Sequence, residues 1–169
     1  MSNQNNLTTN DTWFLGQPKG MVTLFFTEMW ERMSYYGMRG ILVLFMTASI
    51  QDGGLDFSNS SASAIYGIYA AAVYLATLPG GWIADNLYGQ QKTVLYGGII
   101  IMFGHLILAI PNMSLFYLGL TLVVIGTGLL KPNISALVGG LYKDKIDMRE
   151  SGFTIFYMSI NLGSILGFF

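Results

Sequence analysis

Glu28-Met29-Trp30-Glu31-Arg32-Met33-Ser34-Tyr35-Tyr36-Gly37-Met38-Arg39 decides how the chain is read. These residues lie inside Gly20 to Ile50, a stretch that is otherwise free of charge. At 100° per residue, with Glu28 at zero, Glu31, Arg32 and Arg39 project near about 300°, 40° and 20°. Tyr35 and Tyr36 fall near about 340° and 80°, so the polar groups share one face roughly 140° wide. An ionised residue at mid-bilayer costs about 2.5–3.5 kcal/mol on insertion scales, so this face cannot meet lipid.

The rest of the sequence says that lipid is the solvent. Hydrophobic residues make up 53% of the chain and charged residues 10%, with a mean hydropathy of +0.52. Soluble domains carry about 25% charged residues. The 21 glycines fit close packing between transmembrane helices. Ala62 to Ala84, Thr93 to Leu130 and Ser151 to Phe169 contain no Asp, Glu, Lys or Arg, and Pro111-Asn112 breaks the second of these in two. With a span needing about 20 apolar residues, the pattern predicts four complete helices and most of a fifth. The short alternating strands of a barrel are absent from the pattern. The expected fold is therefore an all-α integral membrane bundle over residues 16–169, preceded by a polar tail over residues 1–15. That tail has no basic n-region before an apolar stretch, which argues against a cleaved signal peptide.

Basic residues set the orientation. Lys19 precedes helix 1, Lys92 follows helix 2, and Lys143, Lys145 and Arg149 follow helix 4. The loops after helices 1 and 3 have none. This places the N-terminus in the cytoplasm.

The remaining three bases, Arg32, Arg39 and Lys131, fall within spans. Together with Glu28 and Glu31 they would cost on the order of 12–17 kcal/mol unpaired, so pairing around a wet interior is expected. Two carboxylates against three bases leave one positive charge. A substrate carboxylate held between Arg39 and Lys131 would balance it, and protonating Glu28 or Glu31 would free a base. Such a site links proton binding to anion binding by electrostatics alone.

The segment from Glu28 to Gly37 closely resembles the helix 1 motif of the proton-dependent oligopeptide transporter family, a branch of the major facilitator fold: E-x-x-E-R followed by Tyr-Tyr-Gly. Two further segments agree. Gly80-Gly81-Trp82-Ile83-Ala84-Asp85, with Gly89 and Lys92, is similar to the cytoplasmic loop between helices 2 and 3. Phe156-Tyr157-Met158-Ser159-Ile160-Asn161-Leu162-Gly163-Ser164 resembles the helix 5 signature. The resemblance implies that Glu28, Glu31 and Arg32, with Lys131, couple protons. It implies that Arg39 and Lys131 hold the peptide carboxylate and that Tyr35, Tyr36, Tyr74 and Asn161 line the peptide pocket. Gly81, Asp85, Gly89 and Lys92 would form a cytoplasmic gate.

Some family members place a histidine in helix 2, which here has none. His105, in helix 3, matches no family motif and reads as a packed or hydrogen-bonded imidazole. The resemblance also implies two six-helix bundles, of which this chain is the N-terminal part and lacks the C-terminal partner bundle.

The expected activity is proton-coupled symport of di- and tripeptides across the bacterial inner membrane by alternating access. No cofactor beyond the coupling proton, no metal and no nucleic-acid partner is expected. No nucleophile–base pair or phosphate loop points to an enzyme. Two readings stay open beside it: a related carrier of nitrate or another small anion, and a truncated membrane module that does not transport.

Overall fold

Long apolar runs without strand periodicity form helices, and the computed structural model, which describes residues 16–169, contains five. They are α1 (Gly20–Thr47), α2 (Asn59–Ile83), α3 (Gln90–Leu108), α4 (Met113–Leu141) and α5 (Ile146–Phe168). A 3₁₀ turn (Ile50–Asp52) follows α1, and a π-helical segment (Ala84–Tyr88) continues α2. The expected tail over residues 1–15 lies outside the described residues.

Helix boundaries follow local chemistry. The Ser58 hydroxyl accepts from the Ser61 N–H at 3.1 Å and starts α2. Asn112, in the predicted break, accepts from the N–H groups of Ser114 and Leu115 at 3.0 and 3.2 Å and starts α4. Both satisfy donors that the first helical turn leaves free.

Three boundaries differ from the sequence reading. Gly80 to Ala84, which the uncharged run places in helix 2 and the resemblance assigns with Asp85 to a loop, are helical: Gly80–Ile83 belong to α2 and Asp85 to its π-helical continuation. One residue, Gly89 at φ 76°, separates that segment from α3, a conformation glycine adopts without Cβ strain. Lys92 therefore lies in the first turn of α3 and Arg149 in the first turn of α5, rather than in loops. Polar residues at a helix end face headgroups and water, so the apolar run alone underestimates helix length.

Among the described residues, four helices are long and apolar enough to cross a membrane: α2 with its continuation, α3, α4 and α5. At 28 residues α1 spans about 42 Å, long enough as well. Its charges alone set it apart. The protein is a multi-pass membrane protein, and its outer surface is correspondingly apolar, with Ile41, Leu44, Ile68, Leu75 and Leu106 all exposed.

The main interfaces are α3 on α4, α1 on α5 and α2 on α4. Small residues set each crossing. Pro132 in α4 has no N–H, so the Gly128 carbonyl loses its usual donor. That carbonyl oxygen lies where a Cβ on Gly80 of α2 would stand. Asn133 then donates from Nδ2 to the Gly80 carbonyl at 3.1 Å and to that of Leu129 at 2.7 Å. Gly163 and Gly167 bring α5 against the α1 backbone at Met29 and Met33.

Two apolar clusters result. One gathers Met38, Leu42, Met46, Tyr69, Val73, Phe116 and Val123. The other gathers Met21, Val94, Leu130, Ile134, Val138, Tyr142 and Phe156. Along α1, the charged residues from Glu28 to Arg32 fall between them.

Candidate functional site

Glu28 and Arg32 are four residues apart and share a face of α1; Glu31 lies one residue to the side. Arg32 spans both. Its Nε is 3.2 Å from Glu28 Oε1 and also pairs with Glu31 Oε2. The three residues are 4%, 6% and 5% exposed, so this is a charged core rather than a headgroup contact. Gly163 supplies part of the cover: a Cβ there would lie 2.8 Å from Arg32 Cβ. Glu28 Oε2, Glu31 Oε1 and Arg32 Nη2 are buried without a hydrogen-bond partner, leaving capacity for a proton or another group.

The two other cations sit differently. Arg39 is exposed, and its guanidinium lies 5.3 Å from the centroid of the Tyr66 ring on α2. Lys131 Nζ lies 4.6 Å from the centroid of the Tyr74 ring. The expected pairing of Lys131 with the α1 glutamates is not formed: Lys131 is a Coulombic neighbour of Glu28, but neither carboxylate has an ion pair with it. Arg32 already engages one oxygen of each glutamate, which leaves Lys131 to the face of Tyr74. The single pool of charge expected from the sequence is thus divided. A buried triad carries a net −1, and two cations on aromatic rings carry +2.

An aromatic row leads from the triad to α5. Arg32 lies 5.2 Å from the Tyr35 ring centroid, Tyr35 packs edge-to-face on Tyr36 at 5.4 Å, and Tyr36 lies 5.7 Å from Phe168 of α5. Tyr66 and Tyr74 are eight residues apart, about 12 Å along α2. The ring partner of Arg39, Tyr66, was missed by the sequence reading. So was Tyr69, whose hydroxyl is buried without a partner. The signal was a row of three tyrosines on α2, of which only Tyr74 was singled out.

Asn161 is not brought to the charged cluster. Its side chain is exposed, and it stands two residues, about 200°, round α5 from Gly163, which faces α1. His105 is half-buried in α3 and donates from Nδ1 to the Ile101 carbonyl at 2.9 Å, as a packed imidazole does. Asp85, Gly89 and Lys92 line one shallow depression with Leu137, but Asp85 and Lys92 form no ion pair among the described residues. Gly81 lies on α2, four residues before Asp85, and has open space beside it.

Residues 91–169 match the family described as PTR2, the POT family. A di-/tripeptide transporter of Lactococcus lactis subsp. lactis (strain IL1403) is 48% identical over 164 residues, covering 95% of this chain. A crystal structure of a peptide transporter POT in complex with sulfate superposes with a TM-score of 0.89 at 51% identity, over 93% of this chain. The chain belongs to the POT family. The uncharacterized transporter YclF of Bacillus subtilis (strain 168) is more similar still in sequence, 54% identical over 90% of this chain. This POT chain spans about one third of each relative's length: 31%, 33% and 32% for YclF, the Lactococcus transporter and the sulfate complex. Its five helices have the fold of the first bundle of a major facilitator transporter.

Proposed function

We propose that this chain carries the proton site and one wall of the substrate site of a proton-coupled di- and tripeptide symporter. The observation that supports this most directly is the buried triad. One guanidinium between two carboxylates leaves a single negative charge in an apolar interior, and one proton removes it. Protonating either carboxylate loosens its hold on Arg32, whose positive charge then becomes available to an arriving anion. Removing one member of a buried charged pair typically costs about 3–5 kcal/mol, so the proton acts with leverage on the helix packing around it.

Substrate enters by complementarity. Arg39 and Lys131 offer two positive charges on tyrosine faces, a wall suited to a peptide carboxylate, with Tyr35, Tyr36, Tyr66 and Tyr74 lining it. A POT relative holding sulfate fits a wall that receives oxyanions. Asn161, on the far face of α5, would meet peptide only from the side opposite α1. The opposing wall, and the group that takes the peptide amine, belong to a partner bundle such as the longer relatives have room for. Rocking of the two bundles gives alternating access. Asp85 and Lys92, on either side of Gly89, gate the end assigned to the cytoplasm. The protein sits in a bacterial cytoplasmic membrane with its N-terminus inside and needs no cofactor but the coupling proton.

The test is uptake by the full-length carrier in proteoliposomes, beside Glu31→Gln. Dipeptide should accumulate under an inward proton gradient in the parent and only exchange in the variant. Accumulation of nitrate or another small anion in place of dipeptide would instead support the anion-carrier reading, since two cations on aromatic rings would also serve such a substrate.

A further inference from the structure

Tyr69 is the one buried polar side chain of α2. It is 4% exposed, and its hydroxyl has no partner. It belongs to an apolar cluster to which α1 contributes Met38, Leu42 and Met46 and α4 contributes Phe116, Leu120 and Val123, whose side chains offer at most the weak thioether acceptors of the methionines. The charged and titratable groups within electrostatic reach are Tyr35, Glu31 and Arg32 of α1 and Tyr66 of α2 itself. Two of these neighbours carry unspent capacity of complementary kind. Glu31 Oε1 is an acceptor without a donor, and Arg32 Nη2 a donor without an acceptor. A phenol serves either, because it both donates and accepts. A phenylalanine would satisfy the apolar surroundings equally well, so a buried hydroxyl here needs a polar reason.

We infer that Tyr69 is a positioning residue for the triad: its hydroxyl takes up the free oxygen of Glu31 when a proton separates that carboxylate from Arg32. The inference rests on the proton-site reading above and deepens it. In the resting arrangement Arg32 occupies Glu31 Oε2. Once that pair loosens, Glu31 needs another partner within the same dry interior, and among the described residues Tyr69 carries the buried hydroxyl that has no partner of its own. The hydrogen bond would then run between α1 and α2, so α2, which carries the rings under Arg39 and Lys131, would follow the protonation state of α1. No other buried polar side chain of α2 offers that link.

The experiment uses the full-length carrier with Tyr69→Phe, Glu31→Gln and the double variant. Exchange of dipeptide without a gradient should stay within about twofold of the parent in Tyr69→Phe, because the ring packing is retained. Gradient-driven accumulation should fall about fivefold, the worth of one hydrogen bond between neutral groups. The double variant should accumulate no less than Glu31→Gln alone. A Tyr69→Phe carrier that accumulates like the parent, or loses exchange and accumulation equally, would overturn the inference. A readout independent of transport separates its failure from that of the proposed function. The pH dependence of thermal unfolding should be displaced by Tyr69→Phe in the parent background and unchanged by it in the Glu31→Gln background. Equal displacement in both backgrounds, or none in either, would remove Tyr69 from the site even if peptide transport stands.

Discussion

Lys131 Nζ stands 4.6 Å from the centroid of the Tyr74 ring, and neither glutamate of α1 holds it. The lysine lies just before Pro132 of α4, on the helix that packs against α2. An ammonium over an aromatic face gains about 0.5–1 kcal/mol where the site is exposed. Tyr74 is 63% exposed, so that range applies.

Tyr74 should therefore act through its ring. Tyr74→Phe keeps the face and should leave dipeptide affinity of the full-length carrier within about twofold. Tyr74→Ala releases Lys131 and should weaken affinity about two- to fivefold, the equivalent of that contact. Equilibrium binding of a labelled dipeptide to purified carrier checks both. Equal weakening by the two variants would point to the hydroxyl instead.

Arg32 should be the member of the triad whose loss costs most. Arg32→Met leaves two buried carboxylates with no cation between them and should destabilise the carrier by about 3–5 kcal/mol. Adding Glu28→Gln and Glu31→Gln removes the stranded charges and should recover much of that loss. Melting temperatures in one detergent, compared across the parent, single and triple variants, test the order. A triple variant less stable than Arg32→Met would mean that packing, not charge, holds this part of α1.

The helices were legible because their signals are local. Uncharged runs, the Pro111-Asn112 break and the single polar face of α1 all depend on neighbours a few residues apart. The same face identified Glu28, Glu31 and Arg32 as a group. The ring partners of the other cations were hidden, because Tyr66 and Tyr74 belong to another helix and only packing decides which tyrosine a cation reaches. The segment from Gly80 to Asp85 misled for a related reason. Its likeness to a cytoplasmic loop sets it apart from the uncharged run that contains Gly80, while Asn133, 53 positions away from Gly80, anchors that backbone to α4.

Close approach at Gly163 gives a steric test. A Cβ added there would run into the Met29 carbonyl and the Arg32 side chain. Gly163→Ala should push α5 from α1 at the level of the triad, costing about 1–3 kcal/mol by overpacking. Gly163→Val should cost more. Melting of the purified carrier reports the first effect. Gradient-driven uptake should fall with it, whereas an unchanged melt for both variants would mean that α5 shifts freely and does not clamp the triad.

The last prediction concerns a fastening outside the spans. The Tyr142 hydroxyl, just past α4, donates to Gln17 Oε1 at 2.6 Å, and Gln17 Nε2 donates to Ser151 Oγ at 3.2 Å. Three segments meet there: the approach to α1, the end of α4 and the first turns of α5. Tyr142 and Gln17 are both buried, so Tyr142→Phe leaves Gln17 Oε1 without its donor and should cost about 1–3 kcal/mol. Burial pushes the Tyr142 phenol up. Folding therefore favours the protonated form, and the fastening contributes fully below the ordinary tyrosine value of about 10. Its contribution then declines as pH rises through the higher folded value. The stability gap between the parent and Tyr142→Phe should be constant from pH 6 to about pH 9 and narrow in more alkaline solution. Thermal unfolding of both carriers across that range measures the gap. A gap that widens with pH would mean that the ionised phenolate is the form the fold prefers, and the hydroxyl would not be the donor to Gln17.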